Sequence, residues 1–258
     1  MKYRIKDLNK AIIFLGVILS VASCGNDEEF FSCDPEVDTW AKSNITEIQE
    51  MSREDFLAIG DLVYQKAAYV AMREEQRNEI WMTKLKDVLQ LEGWTREEEQ
   101  HIESLISFIG KNESLFANSE TKHERDQFEL FMHVWVEYAE EVLGWDRETI
   151  FSICGTPDKA VRIENEDGGT KLIVPKVSEF KTAVRSPSTK TRNENGGGGE
   201  GFDCMCSQVS DFCDIFKEIP MSVLSCNTGN GYVCKVIPKR CGLFWLFDCD
   251  GACKCPMC

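Results

Sequence analysis

Apolar side chains between residues 39 and 156 recur at intervals of three and four, the period of a helix with one buried face. Phe56, Ile59, Val63, Ala67 and Val70 form one stripe, behind a cap at Ser52 with Asp55 three positions on. Trp81, Leu85, Val88 and Leu89 form a second. Thr95-Arg-Glu-Glu98 is a capping box that opens a third, with Ile102, Leu105, Ile106 and Ile109 inward. The longest stripe is Phe128, Phe131, Trp135, Tyr138, Val142 and Trp145, stepping 3-4-3-4-3 along one face. With a short helix around Trp40, Ile45 and Ile48, the pattern predicts about five helices in a bundle, since each stripe needs another to cover it. Aromatic residues at this spacing read as core rather than as the lining of a ligand groove. The helical text closes at Ile153-Cys154-Gly155-Thr156-Pro157, where Gly and Pro are stop signals.

Beyond 157 the period changes. Val161 to Asn165 and Thr170 to Val174, separated by Glu166-Asp167-Gly168-Gly169, predict a small β-hairpin. From Arg185 to Gly201 the chain is Ser, Thr, Asn, Gly and charge, with almost nothing apolar to offset the entropy of ordering it, so a flexible Gly-rich linker is expected. Arg185, Lys190 and Arg192 make this stretch a place to cut, as do Gly196 to Gly201.

The first 23 residues read as a secretory signal: Lys2, Arg4, Lys6 and Lys10, then the apolar run Ala11 to Ala22. That run is too short for a bilayer span of about 20 residues. Val21-Ala22-Ser23-Cys24 resembles the bacterial lipobox, which implies a lipid on Cys24 and attachment to a membrane through that anchor; an ordinary signal peptide with an incidental Cys is the alternative. The acidic run Asp27-Glu28-Glu29 resembles an export signal for the outer face of the outer membrane, or is a solvated tether. The expected location is an exported, outer-membrane, surface-exposed lipoprotein.

Removal of residues 1–23 takes away four basic and one acidic side chain, moving the net charge from -15 to -18. Residues 24–156 carry 30 acidic and 12 basic side chains, so the imbalance belongs to the helical part. It excludes nucleic acid as a partner, which needs a basic stripe; attraction of a cationic partner is its functional reading and a solvated face its bland one.

Cysteine then divides the chain. Of 13, ten fall in residues 202–258: Cys204, Cys206, Cys213, Cys226, Cys234, Cys241, Cys249, Cys253, Cys255 and Cys258. A segment this short buries little core, and disulfides of about 2–4 kcal/mol each are the usual remedy outside the cytoplasm. Metal binding by Cys204-Met-Cys206 and Cys253-Lys-Cys255 is the rival, weakened by the absence of His from the tail. Parity leaves Cys33 and Cys154, which can staple the N-terminal arm to the end of the bundle.

Cys204-Met-Cys206-Ser-Gln-Val-Ser210-Asp211-Phe212-Cys213, with Cys226-Asn-Thr-Gly229, the six-residue gap from Cys234 to Cys241, and Cys241-Gly242-Leu-Phe-Trp245, resembles the fulvocin C-related bacteriocin group. The likeness covers about a fifth of the chain, and the group's build of signal, helical region and Cys-rich tail extends it. The resemblance implies an antibacterial module. Three departures qualify a shared disulfide pattern: a longer gap from Cys213 to Cys226, three residues between Cys249 and Cys253, and two further Cys at the end.

The expected organisation is a lipoprotein signal (1–23), an acidic tether (24–38), a helical bundle (39–156), a hairpin and flexible linker (157–201), and a small disulfide-rich C-terminal module (202–258), mainly α overall. The leading expectation is a lipid-anchored protein displaying, or serving as precursor of, that module. The strip Leu243, Phe244, Trp245, Leu246 and Phe247 is then expected to contact a target-cell envelope or surface protein, unless it is the tail's own miniature core. The alternative is a non-toxic surface binding or structural lipoprotein. No nucleotide-binding Gly loop, His-Glu-x-x-His or Gly-x-Ser-x-Gly occurs, so no enzyme, catalytic residue, metal or cofactor is expected.

Overall fold

The computed structural model describes residues 30–32, 35–164, 170–175, 225–226, 237–249 and 253–254. The signal, the tether up to 29, Cys33, the stretch 176–224 with its Gly-rich linker, and Cys204, Cys206, Cys213, Cys234, Cys255 and Cys258 lie outside them. The chain divides into two units, Met1–Phe30 and Phe31–Cys258, and all the described helices and strands belong to the second.

The described part is mainly helical, with α1 (Pro35–Ser43), α2 (Ile45–Glu50), α3 (Arg53–Ala58), α4 (Leu62–Ala71), α5 (Glu74–Leu89), α6 (Arg96–Lys111), α7 (Lys122–Glu141) and α8 (Arg147–Cys154), plus a 3-10 turn at Glu113–Phe116. There are more helices than the apolar period alone resolves, because side chains interrupt two of the stripes. The Asn44 amide donates to the Trp40 carbonyl at 2.7 Å and ends α1 before Ile45. Asp61 accepts from the backbone N–H groups of Val63 and Tyr64, starting α4 afresh after the break at 59–61. Capping boxes stand at Ser52/Asp55 and Thr95/Glu98, where the sequence places them, and a further one at Thr121/Glu124 opens α7.

Ile48, Phe56, Trp81, Leu85, Ile102, Leu105, Ile109, Phe128 and Trp135 form the core with Ala67, Ala68 and Tyr69 of α4. The longest stripe is only partly core: Phe128, Trp135 and Trp145 are buried, whereas Tyr138 and Val142 are exposed. Two strands, β1 (Val161–Glu164) and β2 (Thr170–Ile173), pair antiparallel as the predicted hairpin. Leu172 is buried against α8, and the Ser152 hydroxyl donates to its carbonyl at 3.2 Å.

The C-terminal segment supplies β3 (Ser225–Cys226), β4 (Ile237–Cys241), β5 (Phe247–Cys249) and β6 (Cys253–Lys254). β3 pairs antiparallel with β6, setting Cys226 opposite Cys253 in register, and β4 pairs with β5 across a bulge. The turn between β4 and β5, Leu243–Trp245, is kinked at Phe244, whose backbone is not that of a regular helix. The apolar strip does not make a separate miniature core for the tail. Leu243, Phe244, Trp245, Leu246 and Phe247 belong to the same buried cluster as the helices, and the described strands share their unit. Among the described residues no helix is long and apolar enough to cross a membrane.

Candidate functional site

The strip expected to be an exposed contact surface is instead buried: Phe244 is 0% exposed and Trp245 3%. The physical reason is that the helices bring Phe56, Tyr69, Trp81 and Phe128 into one aromatic cluster, which the rings of the strip complete.

Trp245 meets Tyr69 edge-on at 5.2 Å between centroids, with Phe56 and Trp81 each at 6.4 Å. Phe244 packs edge-on against Trp81 at 4.9 Å and Phe128 at 6.1 Å, and Phe247 lies 5.9 Å from Phe128. A ring of this kind buries roughly 150–250 Å², about 4–6 kcal/mol at 25 cal/mol/Å² before ordering costs.

Hydrogen bonds fix the insertion. The Trp81 indole N–H donates to the Tyr69 hydroxyl at 3.0 Å, and that hydroxyl donates to the Phe244 carbonyl at 3.2 Å. Burial pushes the Tyr69 phenol above its ordinary pKa, so it stays a donor. The Trp245 indole N–H donates to the Gly155 carbonyl at 3.2 Å, tying the turn to the end of α8. Phe244 and Trp245 both adopt the left-handed region, with φ of 54° and 53°. For side chains of this size that costs on the order of 1–2 kcal/mol each. The surrounding contacts hold both residues there, with two rings pointing into the bundle from adjacent positions.

Three lysines are buried in this unit. Lys239 of β4 donates to the carbonyls of Leu115 (3.0 Å) and Ala117 and pairs with Glu120 at 2.9 Å; Glu120 also pairs with Arg125. Burial pushes the Lys239 ammonium below its ordinary pKa, opposed by Glu120. The Lys66 ammonium lies 3.6 Å from the Cys241 sulfur and 5.7 Å from the Trp245 ring. Lys84 is fully buried, donates to the Asp158 carbonyl, and is pushed down to about 7 by burial, against the opposing pull of Asp158. Asp158 also accepts from Gln65 at 3.3 Å and Thr156 at 3.0 Å.

Cys241 is disulfide-bonded. Cys226, Cys249 and Cys253 stand on strands, and the other tail cysteines lie outside the described residues. Cys154 is a free, buried thiol that donates to the Ile150 carbonyl at 3.1 Å, which corrects the expected Cys33–Cys154 staple. Burial raises its pKa, leaving it a thiol rather than a nucleophile.

One cleft of ≈ 210 Å³ opens beside the β1–β2 hairpin, where the Arg162 guanidinium lies 4.1 Å from the Trp94 ring and the Trp145 indole N–H donates to Glu98 at 2.7 Å. Among the described residues no cluster of His, Cys, Asp and Glu can hold a metal ion. No family model, curated protein or solved structure matches the chain.

Sequence reasoning misses the buried lysines. Lys84 carries a signal, since it falls on the Trp81, Leu85 and Val88 face of α5, where a charge must find a buried partner. Lys239 carries none.

Proposed function

We propose that the protein is an exported, lipid-anchored envelope protein whose Cys-rich segment stays clamped to its helical body, a surface binding or structural lipoprotein rather than a carrier that frees its tail. One observation carries the reading: the Leu243–Phe247 strip is built into the bundle core, with Trp245 hydrogen-bonded to Gly155. A tail so seated cannot drift off when the linker is cut, and its rings are not offered to another membrane. The export and anchoring half rests on the cationic, apolar and Val21-Ala22-Ser23-Cys24 run.

A second reading draws on the Cys204 to Cys213 spacing and its resemblance to fulvocin C-related bacteriocins. There the helical body masks an antibacterial module until a target or protease frees it. A chain tagged at both ends and nicked by trypsin within 185–192 separates the two. Under the clamped reading both fragments co-elute on native size exclusion and part only in denaturant with reductant. A C-terminal fragment that elutes alone in native buffer, or collects in the medium of expressing cells, favours the bacteriocin. Loss of acyl labelling in Cys24→Ala tests the anchor in the same preparation.

A further inference from the structure

Away from the hairpin, one helix face lacks the cover its pattern calls for. Leu130, Val134, Tyr138 and Val142 follow one another at intervals of four along α7 and its C-cap, and they are 66%, 56%, 37% and 58% exposed. Residues four apart lie on one face, so these four make a continuous apolar ridge about 18 Å long.

Beside the ridge, α6 and α7 form a shallow apolar groove with His101, Phe131 and Trp135 along it. The groove is already shaped. His101 stacks on Trp135 at 4.5 Å and 11°, donates through Nε2 to the Trp135 carbonyl at 3.0 Å, and receives the Trp135 indole N–H on its own carbonyl at 3.0 Å. Phe108 and Phe131 stack at 3.9 Å. A surface held this rigidly costs little to order on binding.

The charge around it selects the occupant. Glu97, Glu137 and Glu141 are exposed along the ridge and groove, and Glu97 accepts the Tyr138 hydroxyl at 2.6 Å. No Lys or Arg occurs from Glu97 to Gly110, nor from Asp126 to Asp146. A second copy would bring the same carboxylates face to face, and an anionic bilayer would be repelled. A cationic amphipathic helix matches both features, with apolar residues on the ridge and Lys or Arg beside the carboxylates.

We propose that this α6–α7 face is a docking site for a cationic amphipathic helix of about 12–15 residues on a partner protein. The site lies apart from the hairpin contacts and does not depend on whether the Cys-rich segment stays clamped.

The test uses the mature full chain and a fluorescent 14-residue Leu/Lys amphipathic helical peptide, followed by anisotropy. Leu130→Asp/Val134→Asp adds negative charge while removing the ridge, so it separates docking from plain charge attraction. The expected result is saturable binding weakened at least tenfold by this variant, weakened likewise by Glu137→Lys/Glu141→Lys, and absent for a scrambled peptide of equal charge. The altered positions are exposed, and an unchanged circular dichroism spectrum confirms the fold of each variant. No binding by the wild type, or equal or tighter binding by Leu130→Asp/Val134→Asp, overturns the proposal. So does a dimer in sedimentation, or adsorption to vesicles containing phosphatidylglycerol, that the same variant abolishes.

Discussion

The indole nitrogen of Trp245 donates to the carbonyl of Gly155 at 3.2 Å, across 90 residues of chain. This contact joins the hairpin of the Cys-rich segment to the residue that caps α8. The two parts of the chain that differ most in composition therefore share one core.

Trp245→Ala is expected to lower the unfolding free energy of the whole helical unit by about 3–5 kcal/mol, the usual cost of emptying a large aromatic site. Urea denaturation followed by far-ultraviolet circular dichroism measures it, because the helices report the signal although the change is made in the tail. A shift below about 0.5 kcal/mol, the ordinary range for a surface position, would mean that the ring is not in the bundle.

Gly155→Ala should disturb the same junction from the other side. A methyl group at Gly155 would come within 2.2 Å of the Phe151 ring, so the ring or the cap must move, an overpacking cost of about 1–3 kcal/mol. Gly60→Ala, where nothing lies within 4 Å of the added carbon, serves as the control and should change stability by less than about 0.5 kcal/mol. Equal effects at the two sites would mean that the α8 cap is not tightly packed.

Apolar spacing locates α5, α6 and α7 because each carries a one-sided stripe, and a capping box marks the start of α6 at Thr95. What the spacing cannot say is which surface covers which stripe. The same 3-4 period holds for Phe128, which ends up against Phe244, and for Val142, which faces solvent. Composition misleads in the tail. A short Cys-rich stretch lacks volume for a core of its own, but its rings need be exposed only if nothing else buries them. Tyr69, Trp81 and Phe128, whose rings meet Phe244 and Trp245, are the trace of that cover, and aromatic residues on a helix face name no partner by themselves.

Cys154 should be inert in the folded protein. Its thiol is buried, donates to Ile150, and has its pKa raised by burial, all of which suppress the thiolate that alkylating agents need. Iodoacetamide is expected to leave it unmodified in native buffer and to label it in guanidinium without reductant. A Cys33–Cys154 cross-linked peptide in a non-reducing digest would contradict the free thiol.

Lys84 gives the stability a pH dependence of known sign. Its folded-state pKa, pushed down to about 7 by burial, lies below its ordinary 10.5. Between those values the unfolded chain holds a proton there that the folded chain does not, so stability rises with pH across this window. Below about pH 7 the folded protein must carry the charge in its core, and the gap between the two values corresponds to roughly 5 kcal/mol as an upper figure. Lys84→Met removes the titration and leaves the Asp158 carbonyl without this donor, a cost that does not vary with pH. The variant's unfolding free energy relative to wild type should therefore be highest at pH 6 and fall steadily through pH 7.5 to pH 9. Urea titrations at those three values check it, and a difference that stays constant with pH would show that the lysine titrates normally in the fold.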